Sequence, residues 1–393
     1  MYNMTKIASL LNNTIVPNAL GEETTIAEDL SNISTLGTKF ADMTIDELKS
    51  YMGDLFTGIY YDMIGEKEFK EETYGMYINA REFGGVMARV RAKLPKAVDT
   101  PIAQLESYWD DPENAPDYND GKYYGPQWLS QFWSKDISFA IPYSQAVEQF
   151  RKAFTNQEDT VQIFALFRQA ADNAMKFKLN ELARANLRKL IITANTDSRK
   201  IQLITEYNTA HGFEEGDTGY IDLTNWNLSP EFKLFCQETV IELKKYMQDL
   251  GNKYNDGTID NFVTPEDIRS TLLTQFSVAL DFNQSAVYHN ELTSIGEHYT
   301  INFWQNQSKD LLPIISSSSK FDQIVEDNGE SEDIVINHIV GVIYSRYSLG
   351  ITSKLDKITS EYISKGDFIQ NWHHMIKRYF VDGQESAIIL TLE

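Results

Sequence analysis

The chain has 393 residues and a formal net charge of −22, from 57 acidic against 35 basic side chains. A composition of 42% hydrophobic and 23% charged residues belongs to a folding chain. The acidity argues against sequence-specific DNA binding, which needs Lys and Arg to neutralise phosphates. No apolar run reaches the roughly eighteen residues that a membrane helix requires. Cys236 is the single cysteine, which excludes a disulfide framework and a cysteine-based metal site within one chain. The opening MYNMTKIASLLNNTIVPN has one lysine and no long apolar core, so it reads poorly as a signal peptide and implies use inside a cell.

Residues 1–43 are Asn- and Thr-rich and weakly periodic, with Pro17 and Gly21 as interruptions, which predicts an extended arm. Thr44 and Glu47 have the spacing of a capping box, so a helix follows through about Ile64. From Tyr74 to Tyr143 the pattern changes to strand. In residues 86–94, Val86, Ala88, Val90, Ala92 and Leu94 alternate with Met87, Arg89, Arg91 and Lys93. That predicts a half-exposed strand with a basic outer face. Its expected partner is the alternating run Ile137, Phe139, Ile141. Residues 108–126 between them are rich in Asp, Asn, Pro and Gly, a long projecting loop of the kind that usually serves a function.

A second capping box is read at Thr155–Glu158. Phe164, Phe167, Ala171, Met175, Leu179, Leu182, Leu187 and Leu190 then recur near helical spacing, and neither Pro nor Gly interrupts from Thr155 to Ala194. Forty such residues make a helix of about 60 Å, which needs something broad to lie across. Residues 213–224 are a Gly/Asp-rich connection. Ser229-Pro230 opens a helix that Gly251 closes, another helix lies near Phe276–Leu292, and β-branched Ile334–Tyr344 reads as a buried strand. Asp382-Gly383 reads as a turn between the strand-like FV and SAIILTL.

Chemistry is sparse. His289, Glu291 and His298 do not match a helical zinc pair and read as ordinary polar residues at a helix end. Cys236 lies beside Phe232 and Phe235 as a small buried hydrophobe. No phosphate-cradling glycine motif occurs, and the acidic loops at 110–121 and 327–333 fail the calcium-loop spacing. No catalytic residue, metal site or cofactor is expected.

The order of elements resembles the Hong Kong 97-type major capsid proteins of tailed bacteriophages. REFGGVMARVRAKLP (81–95), LARANLRKLIITAN (182–195), SAVYHNEL (285–292) and HIVGVIYSRYSLGITS (338–353), with the closing SAIILTL, look like the phrasing of small podovirus-type phages. The resemblance implies an α+β chain with an N-terminal arm at 1–65 and a two-stranded extended loop at 66–143. A spine helix and part of a peripheral domain follow at 144–215, then a mainly axial domain at 216–350 and peripheral strands at 351–393. It implies a non-enzymatic subunit of an icosahedral shell of hexamers and pentamers around double-stranded DNA, assembled in the host bacterial cytoplasm and filled through a portal. The chain keeps Met1 without a coiled-coil extension, so a separate scaffolding protein is expected. Family-style Lys–Asn cross-links, for which Lys93, Lys96, Lys122 and Asn371 are available, are not expected.

Two alternatives compete: an encapsulin-type nanocompartment shell, and a soluble metal-dependent hydrolase using His289 and Glu291. Arg89, Arg91 and Lys93 stand out against the excess of acid and have no evident partner in their own chain. They are therefore expected to clamp an acidic neighbouring subunit, the alternative being a solvated face balanced by local carboxylates.

Overall fold

The computed structural model describes residues 4–20, 24–65, 73–80, 87–93, 128–134, 136–154, 156–287, 295–304, 322–326 and 334–393. The N-terminal segment is helical, not an extended arm: α1 (Met4–Thr14), α2 (Val16–Ala19) and α3 (Ile33–Asp42) precede α4 (Ile45–Gly65). Ile7, Leu11, Ile15, Leu36 and Phe40 are fully buried, so helical spacing of a few large side chains outweighed the Asn and Thr content. Pro17 falls in the first turn of α2, where its missing N–H is not needed. The capping box forms as predicted. The Thr44 N–H donates to Glu47 Oε2 at 3.0 Å, and the Glu47 N–H reaches Thr44 Oγ1 at 3.5 Å.

Four strands follow: β1 (Tyr77–Ala80), β2 (Met87–Ala92), β3 (Trp128–Trp133) and β4 (Asp136–Ala146). The partner of β2 is β3, not the segment around Ile137. That segment lies in β4 and pairs antiparallel with a later strand, its register pinned where Arg378 Nε meets Asp136 Oδ1 at 2.6 Å. After α5 (Val147–Ala153) comes α6 (Gln157–Thr193), 37 residues long, which begins after Asn156. Thr155, the predicted cap, lies outside the described residues.

β5 (Lys200–Gln202) leads into α7 (Leu203–His211), which Gly212 ends in the left-handed conformation. α8 (Pro230–Tyr246) is capped by Ser229 Oγ, which accepts from the Phe232 N–H at 3.2 Å. It stops at Tyr246, earlier than expected, and Gly251 instead exchanges backbone hydrogen bonds with Asn261. Then come β6 (Ile268–Leu273), α9 (Thr274–Val287), β7 (Tyr299–Ile301) and β8 (Ile324–Glu326). The single strand expected at 334–344 is two, β9 (Ile334–Ile336) and β10 (Ile339–Ser345). They are separated where His338 adopts φ +54°, outside the strand region. The chain closes with β11 (Leu349–Ile363), β12 (Phe368–Val381) and β13 (Ala387–Thr391).

Two larger sheets result, β1-β11-β12-β4 and β5-β13-β10-β6-β7. The turn after Val381 does not close a hairpin, because β12 belongs to the first sheet and β13 to the second. The long helix α6 serves both. Phe164 packs among the N-terminal helices, Met175 against Ile141 and Met375 of the four-stranded sheet, and Leu182 to Ala194 into the core built on the five-stranded sheet. Among the described residues no helix is long and apolar enough to cross a membrane.

Gly350 of β11 sits directly opposite Phe380 of β12, and a Cβ there would collide with the Phe380 ring. The ring covers the glycine and is nearly buried. Gly350→Ala is expected to cost about 1–3 kcal/mol through overpacking, read as a lowered urea midpoint at unchanged slope.

Candidate functional site

β2 and β3 form a separate two-stranded antiparallel ribbon, and alternation splits it into two faces. Met87, Arg89, Arg91, Leu129, Gln131 and Trp133 are half-buried; Ala88, Val90, Ala92, Trp128, Ser130 and Phe132 are exposed. The basic face therefore points inward and the apolar face outward, the reverse of the sequence expectation. Val90 is 60% exposed, and Trp128 and Phe132 are 65% exposed, unusual for large side chains on a self-sufficient surface.

What inverts the ribbon is a pair of buried acids. The side chains of Asp382 and Glu385 are 0% and 5% exposed. Arg89 reaches Asp382 Oδ2 at 3.0 Å and Glu385 Oε1 at 2.7 Å; Arg91 reaches Asp382 Oδ2 at 2.9 Å and also pairs with Glu385. The expectation that these arginines lack a partner in their own chain is thus corrected. An uncompensated carboxylate in that position would cost several kcal/mol, whereas an exposed pair contributes about 0–1 kcal/mol. The buried arrangement wins. Burial pushes the Asp382 carboxyl above its ordinary range, opposed by Arg91, the Gln384 N–H and Arg89. Glu385 also accepts from Asn261 Nδ2 at 3.1 Å.

The same face is held by less polar contacts. Trp133 Nε1 donates to the Val381 carbonyl at 3.1 Å, and its ring lies 5.0 Å from that of Phe380. The Arg89 guanidinium lies 5.6 Å from the Tyr347 ring centroid and donates to the Tyr347 carbonyl at 3.3 Å. Lys93, just beyond β2, is exposed and lines a shallow depression with Trp128, Leu129, Gly257 and Thr258. Sequence reasoning missed Asp382 and Glu385, which lie almost 300 positions from the arginines. Two acids in a tight turn beside a glycine were the available signal.

His289, Glu291, Lys96 and Lys122 lie outside the described residues. His298 uses Nε2 toward Ser277 Oγ at 2.9 Å and Nδ1 toward the Gly296 carbonyl at 3.0 Å. Asn371 is fully buried and accepts from Ser360, and Cys236 is buried with its thiol pushed far up by desolvation. Among the described residues no cluster of His, Cys, Asp and Glu is placed to hold a metal.

A family model for the Phi29-like phage major capsid protein matches residues 13–391. The chain belongs to that family. The fold agrees with a chain in the capsid structure of Staphylococcus phage Andhra, at a TM-score of 0.51 and 12% identity over 80% of this chain and 83% of that one. A chain in a structure of the head fiber and inner core protein gp22 of native bacteriophage P68 gives 0.48 at 12% identity, covering 80% and 83%. One in the capsid structure of the cyanophage P-SCSP1u gives 0.43 at 10%, covering 81% and 86%. No curated protein sequence matches this chain. This capsid protein has a structural role: copies of it assemble into a phage shell, and its place is the virion capsid. That identity favours the shell reading over the nanocompartment and hydrolase alternatives.

Removing one cation from the buried cluster leaves two carboxylates to share the other. Arg91→Leu is expected to destabilise the subunit by about 2–3 kcal/mol, less than the ~3–5 kcal/mol of a fully enclosed pair, because the Arg91 side chain keeps 14% exposure. Equilibrium urea unfolding checks it.

Proposed function

We propose that this capsid protein closes its shell by laying the outward face of the β2–β3 ribbon on a neighbouring copy, around double-stranded DNA that the wall does not grip. The observation that carries this is the outward row of Val90, Trp128 and Phe132 on a separate two-stranded element. Tryptophan and phenylalanine are enriched where interfaces hold their binding energy, and an isolated subunit gains nothing by wetting them. The subunit contact expected of Arg89, Arg91 and Lys93 is accordingly reassigned within one element. The arginines brace the ribbon from beneath, and exposed Lys93 supplies charge at its edge toward a neighbour's carboxylates. The extended loop, spine, axial and peripheral divisions of the sequence reading belong to this proposal, with packed helices in place of the extended arm. So do hexamers and pentamers, a separate scaffolding protein, a portal and assembly in the host cytoplasm.

Trp128→Asp with Phe132→Asp is expected to abolish particles in electron micrographs of protein co-expressed with its scaffold, while circular dichroism and the melting temperature of the subunit stay unchanged. Normal particles from that variant would overturn the contact. The net charge of −22 supports the second half of the reading. Duplex DNA should bind negligibly to isolated subunits at moderate salt; submicromolar, salt-steep binding in a fluorescence titration would overturn it.

A further inference from the structure

The chain steps directly from one large sheet to the other at two places. Residues 346–348 join β10 to β11, and residues 382–386 join β12 to β13. Both steps are short, and they are tied to each other. The Asp382 N–H donates to the Ser348 carbonyl at 2.8 Å, the Ser345 N–H to the Ser386 carbonyl at 3.0 Å, and Ser348 Oγ to the same Ser386 carbonyl at 3.4 Å. A change in the angle between the sheets falls on the backbone at these crossovers and on the packing of α6, which touches both sheets, because the strands on either side are locked in their ladders.

The inner face of the ribbon sits on both crossovers at once. Arg89 holds the first through the Tyr347 carbonyl and ring, and the second through Asp382 and Glu385. Arg91 adds a second grip on Asp382 and Glu385. Trp133 and Met87, a cross-strand pair at the Arg89 end of the ribbon, meet the Val381 carbonyl and Thr352 Oγ1, the latter at 3.6 Å. Four charges of zero sum, two of them almost fully buried, make a joint that is stable when closed and costly when half open.

We infer that Arg89, Arg91, Asp382 and Glu385 form a clasp that couples the pose of the ribbon to the angle between the two sheets, so that a neighbouring copy engaging the ribbon resets the internal geometry of the subunit. The inference rests on the ribbon contact proposed above for its partner, a second copy of this chain, but the coupling itself lies within one subunit. The clasp makes the two crossovers and the ribbon one cooperative unit, which opens or holds together. Subunits at different places in a closed shell meet different neighbours, and this joint lets the ribbon report that difference to the sheets.

Hydrogen–deuterium exchange on dilute, unassembled subunits tests the coupling. In Arg89→Met/Arg91→Met, amides of 87–92, 345–349 and 382–386 should exchange at least about tenfold faster and rise together, while the interiors of β10 and β13 stay the slowest to exchange and rise no more than the global destabilisation read from urea unfolding allows. Faster exchange in the ribbon alone, or in neither, overturns the clasp. Asp382→Asn/Glu385→Gln breaks the same pairs from the other side with nearly the same shapes and must give the same pattern. If neither double variant folds, the cluster is a foundation of the fold rather than a joint, and the inference is overturned. Wild-type shells are measured alongside: protection of the ribbon and of both crossovers should shift together on assembly. A ribbon unchanged by assembly would refute the subunit contact while leaving the free-subunit coupling to stand or fall on its own result.

Discussion

Two carboxylates, Asp382 and Glu385, are carried inside the subunit by a turn that links its two main sheets. A buried anion pair is tolerable only beside cations, and the described structure brings those from β2 and no nearer element. Much follows from that requirement. It draws the basic face of the ribbon inward, and period-two alternation then forces Ala88, Val90 and Ala92 outward, with Trp128 and Phe132 beside them across the ladder. One electrostatic demand thus creates the exposed apolar row on which subunit contact is proposed. The bracing and the contact are opposite faces of six residue pairs.

The long helix solves a different problem. Its apolar residues do not follow one stripe, because three different partners lie along it: the N-terminal helices at Phe164, the four-stranded sheet at Met175 and the five-stranded sheet beyond Leu182. A continuous helix ties these bodies together through one uninterrupted hydrogen-bond ladder, where separate short helices would need caps at every break. The N-terminal helices complete the first of the bodies. Phe40, Phe150, Phe154 and Phe164 form a chain of tilted and edge-on rings there, with Phe40 and Phe154 4.9 Å apart. A segment that looks polar by composition is therefore integral to the subunit.

A shell protein also has to avoid joining the wrong edges. β4 forms one border of the four-stranded sheet and carries Pro142, which cannot donate to a further strand. The excess acid of the chain keeps free subunits apart at long range, so association depends on short-range fit of apolar surface rather than on general stickiness.

Local signals were legible in the sequence wherever one residue type controls one turn of backbone. The Thr44–Glu47 box, the Ser229–Pro230 start, the uninterrupted run that became α6 and the alternation of residues 87–92 all act within a few positions, and each element formed accordingly. The family was legible too, from the order of those elements and their phrasing. What the sequence could not decide is direction. Alternation separates Arg89 and Arg91 from Val90 but does not say which side meets water; that was settled by acids almost 300 residues away. The partner of β2, the sheet that β13 joins and the burial of Ile7 and Leu11 likewise depend on surfaces assembled from distant segments. Local spacing determines which elements can form, while only the tertiary structure decides which face of each is buried, because burial energy depends on the partner and not on the strand or helix alone.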